Sequence, residues 1–351
     1  MAKRRLIAVL VFDCITLMDV VSVAEVFEIS ERFACESPLG AYEVKLVSRH
    51  GGAIRSWSGL TVETDSWSVL DDQEIDTIIV PGGAPPQNPP VPADVVAWLS
   101  VNGSRARRIC GVCTGTFLIA ASGLALGRRV TTHWQSIGVL ANQFPDVFVD
   151  PESIYVKDGC IWTSAGFTAG IDLALALIEE DEGHAISVAT AKQLVLFLRR
   201  PGPQPQLSAL LKAQCAEDPD FSSLHAWIAD HLSEDLRIDR LAAVTGMTTR
   251  TFERQYTSRV GRTPGRTIAE LRIEAAIRLM NSSDCSLKEV ARRTGFQEEQ
   301  NLRRTFLRLH GVTPETFRRQ LSHVSVQATE RSSSSVTASV ASFAKETHGD
   351  D

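Results

Sequence analysis

A helical segment near the C-terminus of this 351-residue chain occurs twice, and that repeat limits the possible folds more than any other feature of the sequence. Leu241-Ala242-Ala243-Val244-Thr245-Gly246-Met247 returns as Val290-Ala291-Arg292-Arg293-Thr294-Gly295-Phe296. After a one-residue insertion, Phe252, Tyr256, Gly261, Thr263 and Pro264 return as Leu302, Phe306, Gly311, Thr313 and Pro314. In each copy a short amphipathic helix runs into Thr-Gly, where glycine takes the left-handed conformation that ends a helix. A second helix starts three or four residues on, which is the pattern of a helix-turn-helix unit used twice.

The second helix of each copy carries the chemistry. Thr248–Arg259 keeps Phe252 and Tyr256 at i, i+4 for packing, which turns Arg250, Glu253, Arg254 and Thr257 to the opposite face. Glu298–His310 places Leu302 and Phe306 inward and Gln300, Asn301, Arg303 and Arg304 outward. Arg, Gln and Asn can make paired hydrogen bonds to guanine and adenine edges in the major groove. A merely solvated face would also be polar, but two matched copies favour base contact. Charge agrees: His231–Leu321 holds 17 Lys and Arg against 11 Asp and Glu, a surplus of +6 in a chain of net charge −6. One basic module is therefore joined to an acidic remainder, as expected when only one domain approaches phosphates.

This pattern resembles the DNA-binding domain of the AraC family of transcriptional regulators over Phe221–Gln320, most specifically in TGFQEEQNLRRTFLRLHGVTPETFR, Thr294–Arg318. The resemblance implies two helix-turn-helix units joined by a long helix, here Thr267–Met280, with both recognition helices in successive major grooves of double-stranded DNA. It also implies base-facing roles for Arg250, Glu253 and Arg254 in the first unit and for Gln300, Asn301, Arg303 and Arg304 in the second. Glu253 either accepts from cytosine N4 or orients Arg254 or Arg250.

Length calls for further domains, and 44% hydrophobic with 22% charged residues is ordinary for a globular chain. Basic Lys3-Arg4-Arg5 before apolar Leu6–Phe12 imitates a secretion signal, but Asp13 interrupts the run and no small-residue cleavage site follows. No apolar span is long enough for a membrane helix. Seven irregularly spaced cysteines outline neither a disulfide framework nor a metal site. The expected setting is the cytoplasm, with no metal, no cofactor and no membrane partner. Residues 322–351, rich in Ser, Thr and Ala, lack periodic large apolar residues and are expected to be a disordered tail.

Residues 1–200 alternate β-branched runs (Leu6–Phe12, Tyr42–Ser48, Thr77–Val80, Arg108–Val112) with helical stretches such as Val20–Glu31 and Pro92–Asn102. That predicts an α/β flavodoxin-like sandwich with a mostly parallel sheet, followed by an all-α double helix-turn-helix domain at 221–321 across a linker at 201–220. Ligand sites in such sheets lie beyond the carboxyl ends of the strands. Asp13–Asp19, Pro81-Gly82-Gly83, Gly111-Val112-Cys113-Thr114-Gly115 and Thr131-Thr132-His133-Trp134 fall there or close by.

Cys113 follows a strand and precedes the apolar helix Phe117–Leu124, a strand-turn-helix elbow that should expose the thiol to helix N-terminal amides and lower its pKa. Gly82 and Gly83 permit the close backbone approach that an anion-binding turn needs. His133 is placed to act as a base toward Cys113. Each residue alone also has a plain structural reading: a small buried thiol, a turn, a packed histidine.

Together they resemble the class I glutamine amidotransferase-like superfamily, in the branch of intracellular proteases and isonitrile hydratases, over Leu6–Leu198 including TSAGFTAGIDLALALIEED at Thr163–Asp181. The hydratase-like members imply a site formed by Cys113, Thr114 and Asp19, the last in the loop after the first strand. Thr114 stands where the peptidases carry histidine, which argues against proteolysis. The domain order and FLRRPGPQPQLS, Phe197–Ser208, resemble the GlxA family of transcriptional regulators.

The resemblance implies a DNA-binding regulator, expected to be an activator. A small amino-acid-like or quaternary-amine effector would bind among Asp19, Gly82, Gly83, Cys113, Thr114, His133, Trp134 and Phe167. A homodimer that contacts RNA polymerase completes the expectation. The alternatives are a cysteine-dependent hydratase or hydrolase, with Cys113 as a vestigial or active nucleophile, and a thiol redox sensor, either one carrying a DNA-binding module.

Overall fold

The structure is a computed structural model that describes residues 4–33, 42–196, 199–208, 211, 219–282, 285–310 and 312–318. The chain divides into two compact units, with the boundary between Gln206 and Leu207. The tail at 322–351 and parts of the 201–220 linker lie outside the described residues.

The first unit is built on an eight-stranded sheet. Its elements are β1 (Arg5–Leu10), α1 (Leu17–Glu31), β2 (Tyr42–Ser48), β3 (Gly52–Arg55), β4 (Thr61–Ser66), β5 (Ile75–Val80), α2 (Ala93–Asn102), β6 (Arg108–Val112), α3 (Gly115–Ala121), β7 (Arg129–Val130), α4 (Ile137–Gln143), β8 (Phe148–Val149), β9 (Tyr155–Asp158), β10 (Ile161–Ser164), α5 (Thr168–Glu182) and α6 (His184–Gln193). The sheet order is β3-β4-β2-β1-β5-β6-β10-β9. Neighbours from β4 to β10 pair in parallel, and only the edge strands β3 and β9 are antiparallel. The α/β reading of the sequence is what the chain adopts.

Central strands β1, β5 and β6 are buried almost throughout, which explains their mostly apolar sequences: both faces are covered. The edge strand β3 and its neighbour β4 are largely polar and exposed, and for that reason they do not stand out in the sequence. After β1 the chain moves to β2 on one side, and it later returns as β5 on the other. The carboxyl ends of β1 and β5 therefore lie at a topological switch point, where sheets of this kind form their crevice.

The second unit contains α7 (Pro219–Asp230), α8 (Ile238–Val244), α9 (Thr249–Val260), α10 (Pro264–Ser282), α11 (Leu287–Arg293) and α12 (Glu299–His310), and residues 314–318 are helical as well. Helix α10 begins at Pro264, whose fixed φ suits the first helical position, so it runs 19 residues, longer than the expected Thr267–Met280. At about 1.5 Å per residue it spans roughly 28 Å. Phe221, Leu224, Phe252, Tyr256 and Leu271 share one core. Within it the Tyr256 hydroxyl donates to Thr267 Oγ1 at 2.9 Å and lies 2.6 Å from His225 Nε2, so the buried phenol is satisfied.

Both helix-turn-helix turns use glycine at positive φ, Gly246 at 66° and Gly295 at 79°. Their surroundings differ. A Cβ on Gly246 would meet nothing within 4 Å, whereas one on Gly295 would fall 1.9 Å from the Leu232 carbonyl oxygen and 2.7 Å from Arg272 Nε. Urea unfolding should therefore show Gly246→Ala costing roughly 1 kcal/mol, the left-handed strain alone. Gly295→Ala should cost about 3 kcal/mol or more, since backbone must also move. Equal costs would show that the second turn relaxes freely.

Candidate functional site

Three strand ends meet at the crevice. The loop after β1 is zipped to the loop after β5: Thr16 N donates to Gly82 O at 2.8 Å, Ala84 N donates to Cys14 O at 3.2 Å, and Ile15 forms a bridge with Gly83. β6 then ends at Cys113, whose φ of 57° is rare for a residue with a side chain and marks the sharp elbow that the sequence suggested. Such a strained residue persists only where its surroundings hold it. Here Cys113 N donates to Ser164 O at 2.9 Å, and Thr132 Oγ1 donates to Cys113 O at 2.8 Å.

Glycines let the backbone close on the elbow from two sides. A Cβ on Gly82 would fall 2.7 Å from Thr114 Oγ1 and 2.9 Å from both Asp19 Oδ2 and Cys113 Cβ. A Cβ on Gly166, at φ 90°, would fall 2.3 Å from Cys113 Cβ. Gly166, which is not among the site residues expected from sequence, packs directly on the elbow. Its only signal was membership of the Thr163–Asp181 stretch.

At the centre lies Asp19, fully buried in the first turn of α1 rather than in a loop. Its carboxylate accepts from Phe167 N at 2.8 Å and from Gly82 N at 3.3 Å, and the Cys113 thiol donates to it. Burial raises its pKa to about 6, opposed by those hydrogen bonds. Thr114 is tied down as well: Gly83 N donates to Thr114 Oγ1 at 2.9 Å, and that hydroxyl donates to Gly83 O at 2.8 Å.

Asp19, Gly82, Gly83, Cys113, Thr114 and Phe167 are thus brought into one network, but two expected properties are corrected. The Cys113 thiol is only 3% exposed and its pKa is pushed well above the ordinary value, first by burial and next by the adjacent Asp19 charge. An activated, lowered thiol is not what the fold makes, because the two factors outweigh the backbone donation from Thr114. The amides of Gly82 and Gly83 are spent on Asp19 and Thr114, so they are not free donors for a ligand anion.

His133 lies on the outer side. Its ring centroid is 5.8 Å from that of Trp134 and 6.2 Å from that of Phe167. Its Nδ1 accepts from Gln135 N at 3.4 Å, and burial lowers its pKa. Among the described residues no hydrogen bond joins it to Cys113. Trp134 is 49% exposed and Phe167 41% exposed, so these aromatic groups rim the closed network. Among the described residues no cluster of His, Cys, Asp and Glu could hold a metal, and no helix is long and apolar enough to cross a membrane.

In the second unit Arg250, Glu253 and Arg254 on α9, and Gln300, Asn301, Arg303 and Arg304 on α12, are all exposed. They are not equivalent. Arg303 pairs with Glu299 at 2.6 Å and also with Glu315, and Asn301 Nδ2 lies 3.5 Å from Phe296 O. Arg250, Arg254 and Arg304 form no ion pair among the described residues.

Residues 5–180 match the DJ-1/PfpI family, half of the chain, and residues 241–320 match a helix-turn-helix domain. The chain belongs to the DJ-1/PfpI family, and to the group within it that carries an AraC-type helix-turn-helix domain. Its relatives include the HTH-type transcriptional regulator CdhR of Pseudomonas aeruginosa, 27% identical over 86% of this chain and 88% of that protein. The HTH-type transcriptional regulator GlxA of Rhizobium meliloti is 25% identical over 80% of this chain and 86% of its own length. The isonitrile hydratase of Pseudomonas putida is 33% identical, over 46% of this chain and 68% of the enzyme.

Iodoacetamide at pH 8 should alkylate exposed Cys14 and Cys160 well before Cys113, read by peptide mass spectrometry. Modification of Cys113 ahead of Cys14 would contradict the sealed elbow.

Asp19 should also leave a pH signature. Its folded pKa of about 6 exceeds the unfolded value, so the unfolded chain releases the proton first as pH rises. The stability of the wild type relative to Asp19→Asn should therefore fall by up to about 3 kcal/mol from pH 4 to pH 7, and level off above. A difference that grows with pH over that window would reverse the assignment.

Proposed function

We propose that this protein is a cytoplasmic, sequence-specific DNA-binding transcriptional regulator, an activator controlled by a small metabolite bound at the crevice of its first unit. The observation that carries the reading is the pair of helices α9 and α12, each turning outward arginine that forms no ion pair among the described residues, from the same supersecondary unit. Two grooves read by one chain give specificity that a single short helix does not. The names of CdhR and GlxA point the same way.

At the crevice, binding suits the geometry better than turnover. A nucleophile needs a thiolate and a positioned base; Cys113 is held as a buried thiol, and His133 is turned to the aromatic rim. The ligand-facing groups are the rings of Trp134, Phe167 and His133, with the Asp19 carboxylate behind Phe167 N. Aromatic faces backed by one negative charge suit the cationic end of an amino-acid-like or quaternary-amine molecule. Homodimerisation and contact with RNA polymerase complete the reading.

A second reading, cysteine-dependent hydration, is favoured by the Cys113–Asp19 hydrogen bond and by the likeness to isonitrile hydratase.

Selection of duplexes from a random-sequence library by the full chain tests the first reading. The enriched sites should contain two base blocks about 10 base pairs apart. Arg304→Ala should cost on the order of 1 to 3 kcal/mol and relax preference at one position. Arg303→Ala should weaken all duplexes alike, because its guanidinium holds Glu299 and Glu315. Absence of any enriched sequence, together with turnover of an isonitrile that Cys113→Ala abolishes, would replace the first reading by the second.

A further inference from the structure

Both walls of the crevice are hydrogen-bonded to one short segment, Arg199–Gln206, through residues that directly adjoin the aromatic rim. On one side Gln206 Nε2 donates to Thr132 O at 2.9 Å and to Thr131 Oγ1 at 3.2 Å. Thr132 precedes His133, and its own hydroxyl holds the Cys113 carbonyl. On the other side Arg200 Nη2 donates to Thr168 Oγ1 at 2.9 Å, and Thr168 follows Phe167. Arg200 also satisfies Asp172, 3% exposed, through Nε and its backbone amide, each at 2.9 Å.

Between these anchors the segment is laid along the first unit. Ile154 N donates to the carbonyls of Gly202 and Gln204, both at 3.0 Å, and Gln206 N donates to Glu152 O at 2.9 Å. Glycine is required at 202, where a Cβ would fall 2.6 Å from Tyr155 O. A composition that reads as a free Pro-rich spacer is therefore docked as far as the last residue before the second unit. The docking is imperfect. Gln206 Oε1 is buried without a hydrogen-bond partner among the described residues, a cost that release of the segment would relieve.

We propose that Arg199–Gln206 is a coupling strap. A molecule that shifts Phe167 or His133 moves Thr168 or Thr132, changes the anchoring of Arg200 or Gln206, and so alters how the DNA-binding unit is tethered. Two states of docking, biased unequally by ligand, suffice for coupling between distant sites. What the strap transmits rests on the regulator reading above; its docking to both walls does not.

Hydrogen–deuterium exchange of the full chain tests the strap without a ligand. In Gln206→Ala and Arg200→Met, exchange at Ile154 and Gln206 should rise at least tenfold, and peptides covering 131–136 and 166–170 should gain exchange with them. Phe167→Ala should loosen the strap in return, while Arg105→Ala, at the opposite end of the sheet, should do neither. Circular dichroism confirms folding, and near-isosteric Gln206→Glu replaces the alanine variant if that one unfolds. Strap amides released with both walls unchanged, and a strap indifferent to Phe167→Ala, would overturn the proposal.

The selected duplex supplies the second readout, with at least a threefold change in affinity expected for the strap variants. Coupled exchange with unaltered affinity would overturn the strap as a transmitter. Failure of the wild type to select any duplex would remove the regulator reading, and the exchange result would still decide the strap.

Discussion

A single buried carboxylate organises the first unit's carboxyl edge. Asp19 ties α1 to the loop after β5 through Gly82, to the entry of α5 through Phe167, and to the elbow after β6 through Cys113. A charge removed from water is costly unless donors surround it, and these three offset part of that cost. The elbow's left-handed backbone, the glycines on its two sides and the non-glycine positive φ of Phe167 all make sense around that anchor. The left-handed backbone of Cys113 and Phe167 is locally unfavourable, and both residues hydrogen-bond to the carboxylate.

The same burial that completes the network restrains the chemistry. A thiol beside a carboxylate in a dry site resists ionisation from both causes. The aromatic rim is then the part of the site open to molecules from outside, and it is built from segments one residue away from the elbow's supports.

The parallel sheet was legible because central strands must be apolar on both faces, and β2 and β6 lie where their β-branched runs begin and end. The helix-turn-helix pair was legible because Thr-Gly and the i, i+4 apolar pairs, Phe252/Tyr256 and Leu302/Phe306, follow from backbone rules alone. Properties set by distant partners were not. The upward shift of Cys113 comes first from burial in the assembled fold and next from Asp19, 94 positions earlier in the chain. The spent amides of Gly82 and Gly83 depend on Asp19 and Thr114, and the docking of Gln206 depends on Thr131 and Thr132. Local pattern carries the elements; satisfaction of polar groups is a property of the assembled chain.

The two helical repeats show how a duplicated unit acquires distinct roles. In the first, Gly246 faces open space; in the second, Gly295 packs on the Leu232 carbonyl and the guanidinium of Arg272, which also donates to Leu232 O and Glu234 O. The second turn is therefore packed on the segment entering α8, while the glycine of the first has no such neighbour within 4 Å of its Cβ position. Arg303 adds a clamp from α12 to Glu315, and the first copy has no counterpart, since Glu253 stands where Arg303 does. The two copies thus differ in what a side chain added at their turns must displace: backbone and a guanidinium in the second, open space in the first.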